Sequence, residues 1–206
     1  MEQTKKGFFT IPNIISLARI AMIPLFLWAF LDGFRILALV IVILSGVSDK
    51  LDGVVARKFD MVSDTGKWLD PMADKFTQLA LCILMFVLFL SAGEPWARFV
   101  AWVFMGYVGK EVFMLLFALS MLIMKKRPAA AEIWGKIATV VFYVVMSLLI
   151  LAGPDGVGIL AHYFGEHVAL PPLAVQVLAV LTLVLTVVAF LSYIPDTYRK
   201  VVKGEE

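Results

Sequence analysis

Long apolar runs separated by short polar punctuation set the rhythm of this chain. With about 20 apolar residues needed per membrane span, the pattern predicts six helices over roughly 11–31, 35–58, 66–91, 96–124, 132–153 and 172–194. The breaks fall at Asp32-Gly33, Asp60 to Thr65, Ala92-Gly93-Glu94-Pro95, Arg127-Pro128 and Gly153-Pro154, all turn-forming residue types. A short juxtamembrane segment carrying Lys5 and Lys6 precedes the first run. That arrangement superficially matches a secretory signal, but the run is too long and too interrupted, and further spans follow, so it reads as a membrane helix. Its opening places Pro12 near the helix start, where the missing N–H is tolerated. Asn13, Ser16 and Arg19 then recur every three residues and share one slowly drifting strip.

Composition agrees with the pattern: of 206 residues, 62% are hydrophobic and only 17% charged, far from soluble usage. The expected fold is therefore an all-α integral membrane protein, a single six-helix domain over residues 1–206. No nucleic-acid partner is expected. The one cysteine, Cys82, lies in an apolar run and is expected to be small core filler. Basic residues sort onto alternate connections. Lys5, Lys6, Arg57, Lys58, Lys67, Lys125 to Arg127, Arg199, Lys200 and Lys203 fall on one side, and only Arg35 and Arg98 on the other, which predicts cytoplasmic termini. The connection from Pro154 to Pro171 has no Lys or Arg, as an exported loop should, and its His162 and His167 are expected to be solvated. The last span, apolar almost all round, is expected only to pack.

Against that background, Asp49, Asp52, Asp70 and Asp74 stand out, because carboxylates at membrane depth are costly and mark function. On a helix Asp49 and Asp52 project within about 60° of each other, and Gly66, Asp70 and Asp74 follow at intervals of four with about 40° of drift per step. The two pairs can face one another across the short connection between spans two and three, near the cytoplasmic surface. Four oxygen donors suit hard divalent cations such as Mg²⁺ or Mn²⁺, and no thiolate or imidazole cluster competes. Gly53 and Ala56 leave a smooth patch on the Asp52 face, where a ligand could approach the backbone or a second helix could pack. Arg57 follows with a fork that matches a phosphate bidentately, or alternatively anchors the inner boundary.

Acids, dications and a phosphate-matching arginine at a membrane surface suggest a reaction at phosphorus. Bound metals would neutralise a diphosphate and its leaving group. One carboxylate must then take the proton from an attacking hydroxyl, and Asp74, at the end of the row, is the candidate. A cation transporter could use similar acids, but its polar residues should continue through the membrane, and spans two and three are nearly all apolar beyond the motif.

These residues match the pattern D-x2-D-G-x2-A-R-x8-G-x3-D-x3-D over positions 49–74, at all eight fixed positions, and the chain resembles the CDP-alcohol phosphotransferase family. The likeness covers most of residues 10–145, including the Pro12-Asn13 to Arg19 opening and Asp70-Pro71-Met72-Ala73-Asp74-Lys75. What it implies is transfer of a phosphatidyl group from CDP-diacylglycerol to an alcohol with release of CMP, in phospholipid synthesis at a bacterial cell membrane, with a cytoplasmic active site. Carried over residue by residue, Asp49, Asp52, Asp70 and Asp74 would hold two divalent cations, Mg²⁺ or Mn²⁺, and Asp74 would also be the base. Asp52, Gly53, Ala56, Arg57 and Gly66 would line the CDP site, with Ser63 and Thr65 near the nucleotide. Homodimers are common in the family.

The acceptor is expected to be glycerol 3-phosphate, with phosphatidylglycerol or inositol phosphate behind it. Arg19, Lys75, Lys110, Lys125, Arg127 and Lys136 are candidates for a basic acceptor pocket. Lys110 and Lys136, inside spans, must face a cavity or pair with an acid. Lys110 and Glu111 are adjacent on the helix and are not expected to pair directly. Members using glycerol 3-phosphate usually carry Arg-Glu at Lys110-Glu111 and a lysine at Ala138. Gly135-Lys136-Ile137-Ala138-Thr139 resembles members that use phosphatidylglycerol.

Overall fold

The computed structural model describes residues 10–58, 66–123 and 133–198, with backbone alone for 49–58, 66–68 and 70–71 in and around the acidic motif. All elements among the described residues are helical. They are α1 (Ile11–Leu31), α2 (Arg35–Lys58), α3 (Gly66–Ser91), α4 (Pro95–Ile123), α5 (Ile133–Ala152), α6 (Ile159–Phe164) and α7 (Pro172–Tyr198), with a 3-10 turn at Glu166–Val168. Six long helices fall where the apolar pattern puts them. The addition is α6 with its 3-10 turn, inside the connection expected to be a plain loop.

Five helices contain stretches long and apolar enough to cross a membrane: Asn13–Leu31, Met72–Ser91, Pro95–Phe117, Ile133–Ala152 and Pro172–Ser192. In α2 the apolar stretch is shorter, Arg35–Ser48, because the acidic motif begins directly after it. Large apolar side chains such as Trp102, Leu116 and Val144 face outward, the reverse of a water-soluble surface and the expectation for one bathed in lipid. The protein is an all-α integral membrane protein.

Two compact units divide within α3, residues 1–81 and 82–206. In the first, α1 and α2 form a helical hairpin. Thr10 precedes α1 in extended conformation and Pro12 occupies its first turn, as its fixed φ allows. At the other end the Asp32 and Gly33 amides donate to the Trp28 and Phe30 carbonyls, and Gly33 takes a φ of 86° that side chains rarely adopt. The Trp28 and Phe34 rings, 5.5 Å apart, and the Arg35 guanidinium over Phe30 close the turn. The middle of α3 meets this hairpin at a mostly apolar crevice lined by Met22, Phe26, Val42, Ser45, Thr77 and Leu81 among others.

In the second unit α7 packs on both α4 and α5. Phe89 of α3 stacks on Phe104 and meets Trp96 edge-on, so aromatic area joins the end of α3 to the start of α4. The Arg98 guanidinium donates to the Gly93 carbonyl at 3.0 Å, which satisfies a helix-end acceptor. Cys82 is fully buried, as core filler should be. The connection from α5 to α7 is braced by its own backbone. The Leu170 amide donates to the Ala152 carbonyl at 2.7 Å, and Gly158 lies so close to Gly153 that an added Cβ would meet the Gly153 carbonyl.

Candidate active site

The acidic motif falls where α2 ends and α3 begins. Asp49, Asp52, Gly53, Ala56 and Arg57 lie in the last turns of α2, and Gly66 opens α3, with Asp70 and Asp74 one and two turns further. Helical backbone at all four aspartates keeps the intervals of three and four residues that put each pair on one face. Asp49, Asp52, Gly53, Ala56, Arg57, Gly66 and Asp70 are described as backbone only; Ser63 and Thr65 lie outside the described residues, as do Lys125 and Arg127.

Asp74 is the acid whose side chain is described. It is half-buried, and its Oδ2 accepts a hydrogen bond from Gln78 Nε2 at 3.0 Å. Gln78 is itself buried, so the amide works in a setting with little competing water and fixes the carboxylate's rotamer. Sequence reasoning missed Gln78. The signal was present, since Gly66, Asp70, Asp74 and Gln78 continue one interval of four along α3. Beside it, the buried Thr77 hydroxyl donates back to the Ala73 carbonyl at 2.9 Å.

On α1 the polar strip is confirmed: Asn13, Ser16 and Arg19 are all buried, Arg19 completely. A fully buried guanidinium in an apolar helix is retained only where acceptors surround it. Arg19 belongs to the same compact unit as the four acids. Lys75, next to Asp74, is half-buried.

Of the other basic candidates, Lys110 makes a direct contact not expected from its position. Lys110 Nζ contacts Glu111 Oε1 directly and lies 4.6 Å from the centre of the Tyr107 ring. Adjacent Cβ atoms do point apart by about 100°, but the four-carbon lysine stem reaches round the helix to its neighbour. The side chains are 11% and 1% exposed, so the pair is shielded from solvent. Lys136 is exposed one turn into α5, the place for a lysine whose ammonium reaches towards the boundary rather than into a buried pocket. The Thr139 hydroxyl donates to the Gly135 carbonyl at 3.1 Å and stays local. His162 and His167 are exposed, as expected, although His162 belongs to α6 rather than to a loop.

The donor set fits hard divalent cations. Four aspartates, a set of oxygen donors, lie on two helix segments of one compact unit at intervals of three and four residues. Among the residues whose side chains are described, no three His, Cys, Asp or Glu gather.

Comparison with known proteins supplies the remaining constraint. A family model described as CDP-alcohol phosphatidyltransferase matches residues 9–194. The CMP-forming cardiolipin synthase of Streptomyces coelicolor is 34% identical over 167 residues, 76% of this chain and 72% of that protein. The CDP-diacylglycerol–glycerol-3-phosphate 3-phosphatidyltransferase of Aquifex aeolicus is 30% identical over 194 residues, 94% of this chain and 98% of that protein. The Bacillus subtilis protein of the same name is 30% identical over 158 residues, 69% of this chain and 77% of that protein.

Proposed function

The chain belongs to the CDP-alcohol phosphatidyltransferase family, and from that premise we propose that it transfers the phosphatidyl group of CDP-diacylglycerol to sn-glycerol 3-phosphate, releasing CMP and forming phosphatidylglycerol phosphate. The observation that carries this reading is the eight-position motif spanning the last turns of α2 and the first turns of α3, with Asp74 held by Gln78. The acceptor follows the Aquifex and Bacillus relatives, the first of which spans nearly the whole chain. The transporter reading falls with family membership.

Asp49, Asp52, Asp70 and Asp74 would hold two divalent cations, Mg²⁺ or Mn²⁺, which when bound neutralise the diphosphate and the leaving CMP. Arg57 grips the diphosphate through its planar fork, while Gly53, Ala56 and Gly66 let the nucleotide come close to the backbone, with Ser63 and Thr65 nearby. Asp74 accepts the proton of the acceptor hydroxyl as that oxygen bonds to the phosphatidyl phosphorus. The bond from this phosphorus to the bridging oxygen breaks, and CMP leaves with the electron pair. Gln78 keeps the Asp74 carboxylate aimed at the hydroxyl. Arg19 and Lys75, in the same unit as the acids, are the strongest members of the basic acceptor set. Alternating loop charge supports an active site at the cytoplasmic face of a bacterial membrane, and a homodimer is the working assembly.

A second reading keeps the donor chemistry and makes phosphatidylglycerol the acceptor. It rests on the Streptomyces relative and on Gly135 to Thr139, where Ala138 replaces the lysine usual with glycerol 3-phosphate. The deciding experiment is CMP release by purified protein given CDP-diacylglycerol and Mg²⁺, with glycerol 3-phosphate, phosphatidylglycerol or inositol phosphate offered separately. Release with glycerol 3-phosphate alone supports the proposal, and release with another acceptor alone overturns it in favour of that one.

Two substitutions test the donor side. Arg57→Lys should raise the apparent Kd for CDP-diacylglycerol about tenfold, roughly 1.4 kcal/mol, because an ammonium cannot reproduce two parallel hydrogen bonds. Equal donor affinity would remove Arg57 from the phosphate site. Gln78→Leu should lower kcat by about 10- to 100-fold with little change in donor KM, the signature of a misaimed group rather than lost binding. A proportional rise in KM with kcat unchanged would place Gln78 in substrate contact instead.

A further inference from the structure

The connection between α5 and α7 is built more carefully than a loop needs to be. It joins the ends of two apolar helices, at Ala152 and Pro172, so chain continuity fixes it at the membrane–water boundary. Val157, Ile159 and Ala161 are buried and hold α6 against α5. Glu166 Oε1 accepts the Asp155 amide at 2.6 Å and the Leu170 amide closes onto Ala152, bracing both ends of the segment. From this braced frame two adjacent rings project, Tyr163 at 58% exposure and Phe164 at 64%, followed by the exposed Val168. Rings presented to water from a fixed frame are unfavourable, each giving up on the order of 2 kcal/mol of available burial.

We propose that Tyr163 and Phe164 insert into the headgroup–acyl boundary of the bilayer, making α6 an interfacial anchor. The partner is lipid for three reasons present in the molecule. The rings belong to the connection where two spans end, Leu151 and Leu173 at the flanking helix ends are also exposed and apolar, and an aromatic ring with one polar tip is the side chain favoured at that depth. The segment has no Lys or Arg, which puts the anchor in the exported leaflet and makes it independent of anionic headgroups. Exposed His162, His167, Asp155 and Glu166 are the polar groups of the segment, and the His162 ring meets Tyr163 edge-on at 5.1 Å.

The test uses full-length protein with Cys82→Ala in phosphatidylcholine proteoliposomes, nitroxide-labelled at Tyr163→Cys, Phe164→Cys or, as the water-facing control, His167→Cys. Power saturation should show oxygen accessibility at 163 and 164 several-fold above that of a nickel chelate, with the order reversed at 167. Equal ratios at all three positions would overturn the anchor. So would spin–spin broadening at 163 and 164 that disappears on dilution with unlabelled protein, because a second copy would then cover the rings. As a check free of labels, Phe164→Trp should add fluorescence quenched by lipids brominated near the headgroup, beyond that of the five native tryptophans, and no added quenching counts against insertion. CMP release should match the parent throughout. Loss of that activity in the parent itself would bear on the proposed reaction and leave the anchor standing.

Discussion

Asp74→Asn should cut CMP release by about 10³-fold, within the range of a lost general base, while CDP-diacylglycerol still binds. The substitution preserves shape and leaves an amide oxygen where Gln78 Nε2 donates to the Asp74 carboxylate, so the side chain keeps its place. What disappears is the ability to take a proton, together with one of the four negative charges proposed to hold metal. Single-turnover CMP release beside equilibrium donor binding separates the two effects. Turnover within a few-fold of the parent would sink the assignment of Asp74. Donor binding lost in step with turnover would make Asp74 a ligand and not the base. Adding excess Mg²⁺ distinguishes these further, because a weakened metal site recovers with metal and a missing base does not.

The second large effect concerns stability. Glu111→Gln should destabilise the protein by about 3 kcal/mol, because breaking a buried ion pair strands the remaining charge. Lys110 is barely exposed and its ammonium is shared between the Glu111 carboxylate and the Tyr107 ring. The double variant Lys110→Met, Glu111→Leu should recover most of the loss, since replacing both charges with apolar side chains leaves nothing unsatisfied. A double-mutant cycle by thermal unfolding in detergent micelles measures the coupling. Additive losses would show that the two residues do not act as a pair. The double variant also reports on the acceptor: unchanged acceptor KM makes Lys110 part of the packing, and a raised KM returns it to the acceptor pocket.

The spans were legible because membrane burial imposes one simple requirement, a run of apolar residues of fixed length, and the chain states it five times in full and once, in α2, in shorter form. Helix α6 was not legible. Its short sequence Ile159 to Phe164 carries too little periodicity, and the close approach of Gly153 and Gly158 that shapes its surroundings depends on backbone packing. The aspartates were legible for the opposite reason, since a charge in lipid needs an explanation. Gln78, uncharged, raised no such alarm, although it completes the same helical row. The error over Lys110 came from treating side chains as vectors from Cβ, which fails for a side chain as long and flexible as lysine. The acceptor stays a proposal because it depends on how single basic side chains are aimed. The chain states this weakly, with Lys110 tied to Glu111 and Lys136 exposed.

The short apolar stretch of α2 has a consequence for the membrane itself. From Arg35 to Ser48 it measures about 21 Å at 1.5 Å per residue, while the hydrocarbon layer is about 30 Å thick. The neighbouring helices have full-length apolar stretches, so α2 alone is mismatched. A bilayer answers such a mismatch by thinning locally, at fractions of a kcal/mol per Å. Thinning beside this helix would bring the phosphate plane towards the turns of α2 that carry Asp49 and Asp52. A diacyl substrate would then be met within its leaflet instead of being lifted out of it.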